Sequence, residues 1–133
     1  MLKVISNTIP ILSLLKIDKL WILKELYQQI IIPEAVSNKD FGTLFFDLGA
    51  GESEVLILAK EKQADLVILD EIMGRRYAKQ LDLKLTGTVG VLLKAKQLNI
   101  ISSIKEMLME LSVKGTWLSP KLISKSIELA GEK

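Results

Sequence analysis

Leu66-Val67-Ile68-Leu69-Asp70-Glu71 is the stretch that decides the fold. Its four apolar residues are too few for a buried helix, two of them are β-branched, and the run stops at two carboxylates. No polar residue alternates with them, so the strand is covered on both faces, which is the habit of a parallel sheet under helices. Helical patterns lie on either side. Upstream, Glu52 to Lys62 places Val55, Leu56, Leu58 and Ala59 on one buried face. Downstream, a helix runs through Tyr77, Ala78 and Leu81, followed by a short strand at Lys84-Leu85. Thr86-Gly87-Thr88 then opens a helix carrying Val89, Val91, Leu92 and Leu93.

The same alternation extends to the ends of the chain. Val4-Ile5 forms a strand that runs into Ser6-Asn7-Thr8, and a helix with Ile11, Leu12, Leu14 and Leu15 begins near Pro10, a residue suited to a first helical turn. Asp18 is expected to cap a second helix bearing Leu20, Leu23, Leu26 and Tyr27. Ile30 to Ile32 is expected to be a buried strand ending before Pro33, with a loop from Ser37 to Ala50. Two amphipathic helices close the chain, one with Ile104, Met107, Leu108 and Leu111, the other started by Ser119-Pro120 and stopped by Gly131. Alternating strands and helices imply an α/β protein whose sites form beyond the carboxyl ends of the strands.

Composition agrees. Of the 133 residues 49% are hydrophobic but only 5% aromatic, so the core is aliphatic. The length and uniform composition indicate a single domain spanning residues 1–133. No apolar run reaches the roughly 18 residues of a membrane span, and no secretory leader pattern is present, which points to a cytoplasmic protein. With no Cys and no His, the chain has no means of building disulfides, thiolate or imidazole zinc sites, Cys nucleophiles or Ser-His-Asp triads. Any metal ligands are therefore oxygens, which favours a hard ion.

The net charge of +2 conceals a segregation. Between Asp47 and Glu71 there are seven acids and two lysines, and between Arg75 and Lys105 seven bases and one acid. An acidic centre beside a basic flank suits metal-dependent chemistry on a phosphate backbone, and solvated helix faces give the same pattern.

Asn7 with Thr8, and Asp70 with Glu71, end two strands and so share one rim. Glu52, in a first helical turn, is a third candidate for it. A carboxylate at Asp70 is compensated by a metal ion or by serving as a helix cap. Glu71 either shares the ion or occupies a first helical turn, where acids are favoured. Glu52 and Glu54 point about 200° apart on a helix, so only one faces the site, and Glu52 is the choice. Thr86-Gly87-Thr88-Val89-Gly90 either offers N–H groups to a phosphate, with Thr88 at the contact, or makes a tight strand-to-helix turn. Arg75 and Arg76 either hold a phosphate backbone or line an exposed face. Trp21 and Trp117 are expected to be partly buried packing residues.

Taken together, Val4-Ile5-Ser6-Asn7-Thr8-Ile9-Pro10, Gly51-Glu52-Ser53-Glu54, Ile68-Leu69-Asp70-Glu71 with Gly74-Arg75, and Leu85-Thr86-Gly87-Thr88-Val89-Gly90-Val91-Leu92 resemble, in this order, a compact branch of the PIN-domain family. The resemblance implies a three-layer α/β/α sandwich with a mainly parallel sheet and an acidic pocket for Mg²⁺ or Mn²⁺. It implies a metal-dependent ribonuclease similar to PIN-domain toxins, acting on single-stranded RNA or another nucleic acid, with a small antitoxin as partner. On this reading Asn7, Glu52, Asp70 and Glu71 are the catalytic set, Glu52, Asp70 and Glu71 the metal ligands, and Arg75, Arg76 and Thr88 the nucleic-acid contacts. Apart from the resemblance, the aliphatic character of the chain suits a surface that pairs two copies as a homodimer. The chain departs from the family at Asn7, which offers a neutral carbonyl where an acid is expected, and at Lys39, beside Asp40, where another is expected. The alternative is therefore a catalytically degenerate PIN-like domain that binds nucleic acid or a protein partner.

Overall fold

The computed structural model describes the backbone of residues 2–32, 50–70 and 72–133, and the side chains of 2–32, 55–70 and 74–133. In chain order its elements are β1 (Val4–Ser6), α1 (Thr8–Lys16), α2 (Trp21–Tyr27), α3 (Ala50–Glu61), β2 (Leu66–Ile68), α4 (Ile72–Gln80), β3 (Leu85–Thr86), α5 (Thr88–Gln97), α6 (Lys105–Val113) and α7 (Pro120–Leu129). The three strands form a parallel sheet in the order β1-β2-β3. Val4 pairs with Leu66 and Ser6 with Ile68, while Ile68 pairs with Thr86, so all three strands finish level with one another.

Period-two alternation sorts the strand residues onto two faces. Val4 and Ile68 pack into a core with Leu14, Ile22, Leu92, Ile104 and Leu108, contributed by α1, α2, α5 and α6. Ile5, Val67 and Leu69 pack into the opposite core with Val55, Leu56, Ala59 and Ala78, from α3 and α4. The sheet is thus sandwiched, and the long apolar run around Val67 is apolar because both faces are covered. Burying each such aliphatic side chain contributes about 1.5–3 kcal/mol relative to leaving it in water. Among the described residues no helix is long and apolar enough to cross a membrane.

Three expectations need correcting. Asp18 does not cap α2, which begins behind Leu20 without any side-chain cap. Instead Asp18 adopts a left-handed backbone (φ 59°) after α1, donating its N–H to Leu15 O while Lys19 N–H reaches Leu14 O. That pairing is a Schellman stop, which needs a residue tolerant of positive φ, and Asp is one. Gln63, Asp82, Asn99, Gly115 and Gly131 end other helices with the same two bonds. Second, the Ile30 to Ile32 run is not a buried strand: only Ile31 joins the sheet, by a single parallel bridge to Ile5, and Ile32 is 42% exposed. It lies at the edge of the sheet, where one-sided pairing leaves part of the run outside the core. Third, Trp117 is 82% exposed, so its ring is not the partly buried packing residue expected, whereas Trp21 is 46% exposed. Trp117 follows the Gly115 stop, in the link between α6 and α7, and no element packs over it among the described residues. The loop expected at Ser37 to Ala50 lies almost wholly outside the described residues.

The end of the chain is tied back by a carboxylate. Glu132 Oε1 accepts from Ser103 Oγ (2.7 Å) and Lys105 N–H (3.1 Å), and Oε2 from Ile104 N–H (2.8 Å) and Lys96 Nζ (3.0 Å). The N-cap residue of α6, Ile104, has no side chain that caps, so Glu132 supplies the missing acceptor. Burial pushes the Glu132 carboxyl up, but the bonds from Ser103, Ile104, Lys96 and Lys105 outweigh it and hold the group at about 2, against 4.5 ordinarily. A depressed carboxylate contributes stability that is complete above its unfolded value and lost as the pH falls through its folded one. Thermal melts of Glu132→Gln are therefore expected to lie several degrees below wild type at pH 6. The gap should narrow steadily between about pH 4.5 and pH 2. A gap independent of pH would assign the loss to shape rather than charge.

Candidate active site

Level strand ends bring the polar residues that follow them onto one rim. Asn7 N–H donates to Ile68 O (3.0 Å) and Leu69 N–H to Thr86 O (2.8 Å), so Asn7, Asp70 and the Gly87 turn leave the sheet side by side. Asn7, only 4% exposed, is the N-cap of α1, and its Oδ1 accepts from Thr8 N–H (2.9 Å). This explains why α1 starts at Thr8, two residues before Pro10. Asn7 O in turn accepts from the buried Ser6 hydroxyl (2.8 Å).

Asp70 is half-buried and held by one residue through two bonds. Its Oδ1 accepts from Thr88 N–H (2.8 Å) and its Oδ2 from Thr88 Oγ1 (2.6 Å). The carboxylate thus caps α5 across the rim, because Gly87 stands at the N-cap and has no side chain to do so. The positive end of α5 and the two donors offset the desolvation that a carboxylate suffers here. Of the two readings open for the Gly87 loop, the structure shows the tight turn, with Thr88 N–H already engaged. Any Cβ on Gly87 would collide with Asp70 Oδ1 and come within 3.4 Å of Arg75 Nη1. Arg75 is half-buried, its Nη1 donating to Leu69 O (3.0 Å), so its guanidinium borders the same turn, whereas Arg76 is exposed.

The remaining candidates are less fully visible. Glu52 lies in the first turn of α3, where only the backbone is described, and Glu71, Lys39 and Asp40 lie outside the described residues. Among the described residues no three His, Cys, Asp or Glu side chains converge on a common point. The residues that leave the sheet side by side at the rim with side-chain oxygens are Asp70 and Asn7. Among the described residues each oxygen accepts one hydrogen bond, and an oxygen set of this kind fits a hard divalent ion.

A family model described as a PIN domain matches residues 3–39 and 36–132. The chain belongs to the PIN-domain family. No curated protein and no solved structure matches it. The small parallel sheet between two layers of helices accords with a PIN-like α/β fold, and the family assignment makes the fold nuclease-like. PIN domains generally use divalent metals and commonly bind nucleic acid, and in this PIN domain Asp70 is a carboxylate that ends the central strand.

What the sequence did not reveal is the pairing of Asp70 with Thr88. Its one signal was Gly87: a glycine at a helix N-cap leaves the first N–H groups to be satisfied from elsewhere. Thr88, expected at a phosphate contact, donates its hydroxyl to Asp70 Oδ2 in this structure.

Proposed function

We propose that this PIN domain is a metal-dependent ribonuclease acting on single-stranded RNA. The observation that carries the reading is the Thr88 clasp, which fixes the Asp70 side chain at the end of the central strand, level with Asn7. A carboxylate held in one orientation before any ligand arrives suits a site that must meet a cation and a phosphate together. Asp70, with Glu52 and Glu71 as further ligands and the Asn7 carbonyl beside them, would hold Mg²⁺ or Mn²⁺. When bound, such an ion lowers the pKa of an attacking water and neutralises charge at the phosphate. Thr88 keeps the Asp70 oxygens in place, and Arg75 sets its guanidinium where a phosphate oxygen would approach.

The second reading, a PIN domain that binds nucleic acid or a protein without cutting, draws on Asn7. Its amide is engaged as a cap and brings no charge, so the site lacks one carboxylate. Asp caps as well as Asn does, so Asn7→Asp restores charge without giving up the helix start. In calorimetric titration with Mn²⁺ we expect wild type to bind, Asp70→Asn to bind at least about tenfold more weakly, and Asn7→Asp more tightly. Equal isotherms for wild type and Asp70→Asn would remove Asp70 from the metal site.

A further inference from the structure

The outer face of α4 holds a row of cations that starts beside Asp70. Gly74 and Ala78 are buried and face the sheet, which turns the opposite side outward. At about 100° per residue, Arg75, Lys79 and Arg76 fall within about 100° of arc on that outer side, and Tyr77 borders it. Arg76 and Lys79 stand about 4.5 Å apart along the axis and about 60° apart around it, within reach of neighbouring phosphates of an extended strand. Arg76 and Lys79 are exposed, and among the described residues none of the three bases makes a salt bridge. Arg75, bonded to Leu69 O and bordering the Gly87 turn, joins the row to Asp70. Tyr77 is 43% exposed and offers a ring on which an unpaired base can stack.

We propose that the outer face of α4 is a binding track for single-stranded nucleic acid, with Arg76 and Lys79 on successive phosphates and Tyr77 against a base. The track carries the strand away from Asp70 along α4. A stacking ring favours a single strand over a duplex, whose bases are already stacked. The placement beside Asp70 rests on the nuclease reading, whereas binding itself needs neither metal nor cleavage.

The test is fluorescence anisotropy in EDTA with a labelled oligouridylate and its deoxy counterpart, over a series of salt concentrations. Wild type is compared with Arg76→Glu/Lys79→Glu and with Lys121→Glu/Lys125→Glu, which makes the same charge change on exposed positions of α7. We expect the α4 pair to weaken binding by about tenfold or more and to lower the slope of log K against log salt by about 1.4, the loss of two phosphate contacts on a single strand. The α7 pair should stay within about twofold of wild type, and melting temperature and Mn²⁺ binding should be unchanged in the α4 pair. Tyr77→Ala should weaken binding without altering the salt slope. The tighter of the two oligonucleotides identifies the natural source. Equal losses in the two charge reversals, or no binding by wild type, overturn the track. Should wild type bind through α4 yet cut nothing, the track stands and the nuclease reading falls. Should wild type cut while the α4 reversal binds as tightly as wild type, the nuclease reading stands and the track falls.

Discussion

Replacing Asp70 by Ala is expected to lower stability by about 1–2 kcal/mol and to reduce RNA cleavage by a factor of about 100 or more. The two losses have separate causes. Stability falls because α5 loses the acceptor for Thr88 N–H, and Gly87 has no side chain to replace it. Cleavage falls because the rim loses its described carboxylate. Asp70→Asn separates them: its carbonyl still accepts from Thr88 N–H, so urea midpoints should remain close to wild type, whereas charge and cleavage are gone. If Asp70→Asn were as unstable as Asp70→Ala, the charge rather than the cap would be what holds α5.

Gly87→Ser is expected to show a dependence on residue 70 large enough to change sign. Gly87 has an extended backbone (φ −124°), so serine pays no conformational penalty there. Its Cβ, however, would be driven against Asp70 Oδ1. In the wild-type background the substitution should cost about 1–3 kcal/mol by forcing the carboxylate off Thr88. With Asp70→Ala already made, the collision is gone, and a serine at an N-cap is worth roughly a few tenths of a kcal/mol over glycine, so the same change should stabilise slightly. A double-mutant cycle by urea unfolding should therefore give a coupling of about 1 kcal/mol or more, and additive effects would show that the Gly87 turn and Asp70 do not touch.

The fold was legible because periodicity is a local property. Val67, Ile68 and Leu69 announce a strand covered on both faces, and the helices beside it announce the layers that cover it. Where the sequence misled, a tertiary partner made the difference. Asp18 looks like a cap for the helix ahead, but the helix behind needed a left-handed stop first. Ile30 to Ile32 has a strand's composition, yet its place at the edge reduced it to one bridge. The site was legible as a set of residue types at strand ends, but not as a network. Asp70 serves α5, 18 positions downstream, and Glu132 serves α6, 27 positions upstream at Lys105, two helices whose own N-cap residues cannot cap. No spacing rule relates a carboxylate to a helix that distant. The pattern does leave a trace in the missing partner: Gly87 and Ile104 are poor caps, and each marks a helix start that must borrow an acceptor from elsewhere.

The same borrowing bears on catalysis. Asp70 has two duties on this reading, the acceptor for α5 that its bonds to Thr88 provide and the charge that the ion would meet. Asn7 caps α1 as well as an acid would while leaving the rim one charge short. Activity is what divides the two readings.

Cleavage of labelled single-stranded RNA in Mn²⁺, with wild type beside Asp70→Asn and Asn7→Asp, tests the account most directly. It predicts cutting by wild type, none by Asp70→Asn despite a native melting temperature, and faster cutting by Asn7→Asp. No cutting by wild type, or cutting that survives Asp70→Asn, would contradict it.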